Sequence, residues 1–99
     1  MKEEIISLSI GIVSSRFNNK IVEKISEACI SKLQALGVPK KNISHITVPG
    51  ALEIPIALKT MKETNNIFDV MVAIGLVIRG ETYHFEIVSD QSAAGIMRV

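Results

Sequence analysis

This chain is poor in the residues that usually announce chemistry. It has one cysteine, no tryptophan, one tyrosine and three phenylalanines. The lone thiol, Cys29, can neither close an internal disulfide nor build a zinc site by itself. Two separate histidines, His45 and His84, without a cysteine cluster do not make a metal constellation. No run approaches the length of a membrane span, and the opening MKEEIISLSIGIV is acidic and lacks the basic start of a signal peptide. No charge sign dominates: 11 Lys plus Arg face 10 Asp plus Glu, so neither nucleic acid nor an acidic membrane is an expected partner. Neither GxGxxG nor a Walker loop occurs, and Ser14-Ser15 lacks the elbow of a serine hydrolase. The expectation is a cytoplasmic protein without metal or cofactor.

What the chain has in quantity is aliphatic side chain. Hydrophobic residues make 47% of the 99 positions and charged residues only 21%, an apolar balance for so small a domain. One domain over residues 1–99 is expected, with faces covered by partner subunits or by further chain. Residues 5–13 are apolar and β-branched and read as a buried strand. Residues 14–19 read as a loop. Residues 20–36 are helical, with Ile21, Ile25, Ala28, Cys29, Leu33 and Leu36 assigned to the buried face. Gly37 and Pro39 stop that helix. A second strand over 43–48 and a helix over about 52–64 follow, with Pro55 in its first turn and Ile54, Ala57, Leu58 and Met61 inward. Asn65-Asn66 ends it. Residues 70–78 read as a central strand covered on both faces, 79–81 as a turn, and a third helix starts near Tyr83 with Phe85, Val88, Ser92 and Ile96 on one stripe. The order βαβαβα predicts an α/β fold with a parallel sheet.

In such sheets ligands gather beyond the carboxyl ends of the strands. Three distinctive segments meet there: 14–18, 48–53 and 79–84. Phe17, in a polar loop, either offers a flat face to a heterocycle or tucks onto the core. Gly50 permits close backbone approach to a ligand. Glu53 either accepts hydrogen bonds from hydroxyls or complements a helix N-terminus. Glu81 and Thr82 precede a helix, where free N–H groups suit a phosphate; Thr82 as a simple cap is the plainer reading. His84, in the first helical turn, is either a proton carrier or a surface residue. Arg79 either positions an anion or makes a salt bridge. His45 reads as structural or exposed, and Cys29 as core.

The strings GIVSSRFN (11–18), VPGALEIP (48–55) and AIGLVIRGETYHFE (73–86) together resemble the lumazine synthase family, in register and in family order from about residue 7 onward. The resemblance implies a flavodoxin-like, three-layer α/β/α fold. It implies condensation of 5-amino-6-(D-ribitylamino)uracil with 3,4-dihydroxy-2-butanone 4-phosphate to 6,7-dimethyl-8-ribityllumazine, a step of riboflavin biosynthesis needing no cofactor or metal. By the same resemblance Phe17 stacks on the pyrimidine, and Ala51, Leu52 and Glu53 line the ribityl chain. Leu76, Val77 and Ile78 meet the pyrimidine edge, Glu81 and Thr82 sit at the phosphate, and His84 is the general acid/base. A homo-oligomer is implied, a pentamer or a larger shell, with sites between subunits.

The chain departs from that pattern in two respects. Many relatives carry a small residue in place of Glu81, so a phosphate contact here has to come through backbone N–H. The family also continues past Val99, adding a strand with a site aromatic and helices with a phosphate-binding Arg and a Lys. Without them the sheet is expected to be incomplete and catalysis to be slight. The competing expectation is a non-catalytic relative that assembles or binds a pyrimidine; an unrelated flavodoxin-like phosphate binder is third.

Overall fold

The computed structural model describes residues 5–64, 68–78 and 84–99, with His84 by its backbone alone. Strands β1 (Ile10–Ser15), β2 (Ile43–Val48) and β3 (Val70–Ile74) form one parallel sheet in the order β2-β1-β3. Helices α1 (Asn19–Ala35), α2 (Ile54–Glu63) and α3 (His84–Arg98) pack on it, preceded in the case of α2 by a 3-10 turn at Ala51–Glu53. The alternation and the parallel pairing are those the sequence predicts, and the fold is the flavodoxin-like α/β arrangement, with three strands among the described residues.

Strand β1 is buried along its whole length, as a strand with a parallel neighbour on each side must be. Its side chains divide the core into two. Ile10 and Ile12 face α1 and pack with Val22, Val38 and Ile74. Val13 faces the other layer, with Val48, Ala51, Ile54, Leu58, Met61 and Val88. Predicted inward positions of α2 are therefore filled as expected: Ile54, Leu58 and Met61 are buried and Ala57 packs beside them. Pro55 sits at the start of α2, where its missing N–H breaks no helical bond. On α3, Val88 and Ser92 are buried and Ile96 joins the same cluster.

Helix α1 ends as its sequence predicts. Gly37 has φ of 113°, a conformation that favours glycine. Gly37 N–H donates to the Gln34 carbonyl and Val38 N–H to the Leu33 carbonyl, each at 3.0 Å. That pair of bonds satisfies two of the carbonyls a helix end leaves open, and Val38 is buried next to Leu33 as the accompanying apolar contact.

Three expectations need correction. The first strand is shifted: Ile5 and Ile6 lie in a helical turn closed by Leu8 N–H on the Ile5 carbonyl, and β1 extends instead through Ser14 and Ser15. Ladders on both sides hold Ser14 in the sheet and the β2 ladder holds Ser15, and the Ser14 hydroxyl meets His45 Nε2 at 2.7 Å, so polarity alone does not make them loop. The buried face of α1 is Val22 and Ser26, supported by Cys29, Ile30 and Leu33, while Ile21, Ile25 and Leu36 are exposed. The helix carries two adjacent apolar stripes, and the sheet takes the one with the small Ser26. Third, β3 stops at Ile74, and of the three described strands the middle one is β1. The endings at Asn65-Asn66, the turn at 79–81 and the start at Tyr83 lie outside the described residues.

Candidate active site

All three strands point their carboxyl ends the same way, so the segments that follow them converge. Residues 16–18 leave β1, residues 49–53 leave β2 and residues 75–78 leave β3. Between them lies a cleft of about 200 Å³ lined by Phe17, Pro49, Gly50, Ala51, Leu52, Glu53, Leu76, Val77, Ile78 and Val88. Pockets for whole drug-sized ligands run to roughly 300–1,000 Å³. This cleft is smaller, and suits one ring with its substituents.

Each wall has a local cause. Arg16 N–H donates to the Val48 carbonyl at 2.7 Å, extending the β1–β2 ladder by one bond past the strand. The chain then turns at Asn18, whose φ of 53° and ψ of 55° place it in the left-handed region. The Asn18 carbonyl accepts the N–H groups of Ile21 and Val22, so the turn leads straight into α1. Phe17 is left between these two fixed residues with half of its surface exposed. A half-exposed ring on the wall of a cleft has a face available to a flat ligand.

The second wall is the 3-10 turn, closed by Glu53 N–H on the Gly50 carbonyl at 3.2 Å. Ala51 and Ile54 anchor it in the core, while Leu52 and Glu53 face outward. Glu53 makes no capping hydrogen bond to α2. A Cβ placed on Gly50 would lie 3.3 Å from Glu53 Oε2, so glycine here leaves room for that carboxylate. The third wall is the segment after Ile74, where residues 75–78 have left the sheet and their backbone groups no longer belong to the ladder. Gly75 lies at the meeting point of the walls: a Cβ on it would be 3.1 Å from Ile54 Cδ1, 3.6 Å from Ala51 Cβ and 3.7 Å from Ser15 Oγ.

Of the residues singled out from the sequence, Phe17, Ala51, Leu52, Glu53, Leu76, Val77 and Ile78 line this one cleft. Glu81, Thr82 and the side chain of His84 lie outside the described residues, as does Arg79. The backbone of His84 begins α3, one turn before Val88, which does line the cleft. Pro49 and Val88 were missed as lining residues. Val88 was legible in part, because it follows His84 by four positions on the apolar stripe of α3. His45 lies on the opposite side of the sheet with Ser14, away from the cleft. Among the described residues no group of three or more His, Cys, Asp or Glu is placed to hold a metal ion, and no helix is long and apolar enough to cross a membrane.

The family model described as 6,7-dimethyl-8-ribityllumazine synthase matches residues 7–99. A protein of that name from Methylibium petroleiphilum is 53% identical over 93 residues, which are 94% of this chain and 58% of the relative. One from Ralstonia nicotianae is 54% identical over 92 residues, 93% of this chain and 56% of the relative. One from Paracidovorax citrulli is 53% identical over 92 residues, 93% of this chain and 59% of the relative. The chain thus spans somewhat over half the length of the curated relatives it matches. A match over residues 7–99, together with the parallel sheet and the converging strand ends, means that the chain belongs to the 6,7-dimethyl-8-ribityllumazine synthase family.

Proposed function

We propose that the protein acts in riboflavin biosynthesis as a lumazine synthase, condensing 5-amino-6-(D-ribitylamino)uracil with 3,4-dihydroxy-2-butanone 4-phosphate to give 6,7-dimethyl-8-ribityllumazine. The observation that carries the reading is the single cleft on which Phe17, residues 51–53 and residues 76–78 converge. Phe17 offers a ring face to the pyrimidine, worth on the order of 1 kcal/mol beyond the area it covers. The backbone groups of Leu76, Val77 and Ile78, free of the ladder, pair with the polar edge of the same ring. Ala51 and Leu52 line the ribityl chain, and the Glu53 carboxylate accepts hydrogen bonds from its hydroxyls.

The chemistry asks for positioning and proton transfer. The 5-amino group of the pyrimidine attacks the butanone carbonyl, and water leaves to form a Schiff base. A proton is then removed from the carbon next to the phosphate-bearing carbon, and phosphate is eliminated. The enol left by that elimination takes up a proton at its terminal carbon and becomes a methyl ketone, which the ribityl-bearing nitrogen attacks to close the second ring, with loss of water. His84 is the proton carrier, since its ordinary pKa lies near neutrality. Glu81 and Thr82 form the phosphate end, with N–H groups at the start of α3 as donors. The assembly is a homo-oligomer, a pentamer or a larger shell. Exposed Ile21, Ile25, Ile56 and Met97 are apolar surface of the kind that subunit contacts cover.

Calorimetric titration of the protein with ribitylaminouracil tests this. Saturable binding is expected, weakened about tenfold by Phe17→Ala and likewise by Glu53→Gln, in line with the magnitude of ring stacking and of charged hydrogen bonds. Equal affinity of the wild type and both variants would place the pyrimidine elsewhere.

A further inference from the structure

The aromatic ring of the cleft is fastened from the far side of the sheet. Alternation along β1 sends Ile10, Ile12 and Ser14 toward α1, and the same alternation continues past the strand. Arg16 therefore falls on the α1 side and Phe17 on the cleft side. The Arg16 guanidinium reaches Thr47 on the neighbouring strand, with Nη1 donating to Oγ1 at 3.0 Å. Its own backbone N–H is held by the Val48 carbonyl at 2.7 Å. On the other flank Asn18 stands in the left-handed region, the only non-glycine residue with positive φ among the described residues. Asparagine tolerates this region better than most side chains, and its carbonyl opens α1 by accepting from Ile21 and Val22.

Val48 and Thr47 end the strand that runs into Pro49-Gly50-Ala51, the opposite wall of the cleft. One side chain thus ties the loop that carries Phe17 to the strand that carries the facing wall. The side-chain bond adds to the backbone bond from Arg16 to Val48 a second link between the same two segments.

We propose that Arg16 is a positioning residue, acting through Thr47 to hold Phe17 at the spacing a pyrimidine ring needs. The inference rests on the reading of Phe17 as the stacking face. Thr47 does not line the cleft, so it makes no direct contact with a ligand bound there.

Two readouts separate the inference from the reading beneath it. The first is the NMR spectrum of ring-labelled phenylalanine in the free protein, with the Phe17 signal assigned by its loss in Phe17→Ala. In Arg16→Ala and in Thr47→Val the Phe17 ring signal is expected to shift toward motionally averaged values, and Thr47→Ser is expected to restore it. The second is affinity for ribitylaminouracil, expected to fall about three- to tenfold in Arg16→Ala and Thr47→Val and to recover in Thr47→Ser. In turnover KM for the pyrimidine rises more than kcat falls. In a Phe17→Ala background Arg16→Ala should add no further loss. An unmoved Phe17 signal in Arg16→Ala, or a full additional loss of affinity in the Phe17→Ala background, overturns the inference. A signal that moves while affinity stays at the wild-type value overturns instead the stacking role of Phe17.

Discussion

Gly95 of α3 lies so close to Pro55 of α2 that a Cβ on the glycine would fall 2.6 Å from Pro55 Cγ and 2.8 Å from Pro55 Cβ. No real Cβ contact is that short, and a proline ring cannot rotate out of the way. Glycine inside a helix ordinarily costs about 0.5–1 kcal/mol relative to alanine. At this position the sign reverses. Gly95→Ala is predicted to destabilise the fold by about 1–3 kcal/mol through overpacking, read as a lower urea midpoint. A stabilised Gly95→Ala protein would mean that the two helices do not cross in this way.

The hydroxyl of Ser14 is buried and its partner is His45, at 2.7 Å. Removing the imidazole strands that hydroxyl. His45→Ala is predicted to cost about 1–3 kcal/mol, and Ser14→Ala in the same chain to recover part of it, because an absent polar group has no desolvation penalty. Thermal unfolding of the single and double variants measures this. Strictly additive losses would show that the bond has no energetic weight.

Gly75 has no φ in the left-handed region, so its lack of a side chain is a matter of space rather than backbone conformation. The 3.1 Å approach to the buried Ile54 Cδ1 is the constraint. Gly75→Ala is predicted to move the wall formed by Leu76 and its neighbours and to lower affinity for the pyrimidine several-fold. Ile54→Val removes the obstructing methyl at a stability cost of about 1 kcal/mol. The double variant should regain affinity, and titration calorimetry on the pair decides it. Equal affinity of Gly75→Ala and wild type would show that the wall tolerates a side chain there.

Much of this architecture was legible in the sequence, and the failures have physical causes. Gly37, Pro55 and the inward stripes of α2 and α3 followed from rules that act within one element, and local rules need no partner. The limits of β1 did not, because Ser14 belongs to the strand by virtue of two neighbouring ladders and a histidine that is distant in sequence. The buried face of α1 was misassigned because two apolar stripes lie side by side, and only the sheet decides between them. The place of β3 beside β1 in the order β2-β1-β3 of the described strands likewise depends on topology, which periodicity does not encode. Phe17 and Glu53 stand out in the sequence at strand ends, Ala51, Leu52 and residues 76–78 only through the family resemblance, and parallel strands bring such ends together. The tie from Arg16 to Thr47 was invisible, since neither residue type marks it.

The most direct test is product formation. The protein is mixed with ribitylaminouracil and the butanone phosphate, the absorbance of 6,7-dimethyl-8-ribityllumazine is followed, and the spontaneous rate is subtracted. Turnover above that rate is predicted, reduced by roughly 10²–10⁴ in His84→Ala, the usual worth of a positioned acid/base group. A rate equal to the spontaneous one, in a protein that still binds the pyrimidine, would contradict the account and leave a binding protein in place of an enzyme.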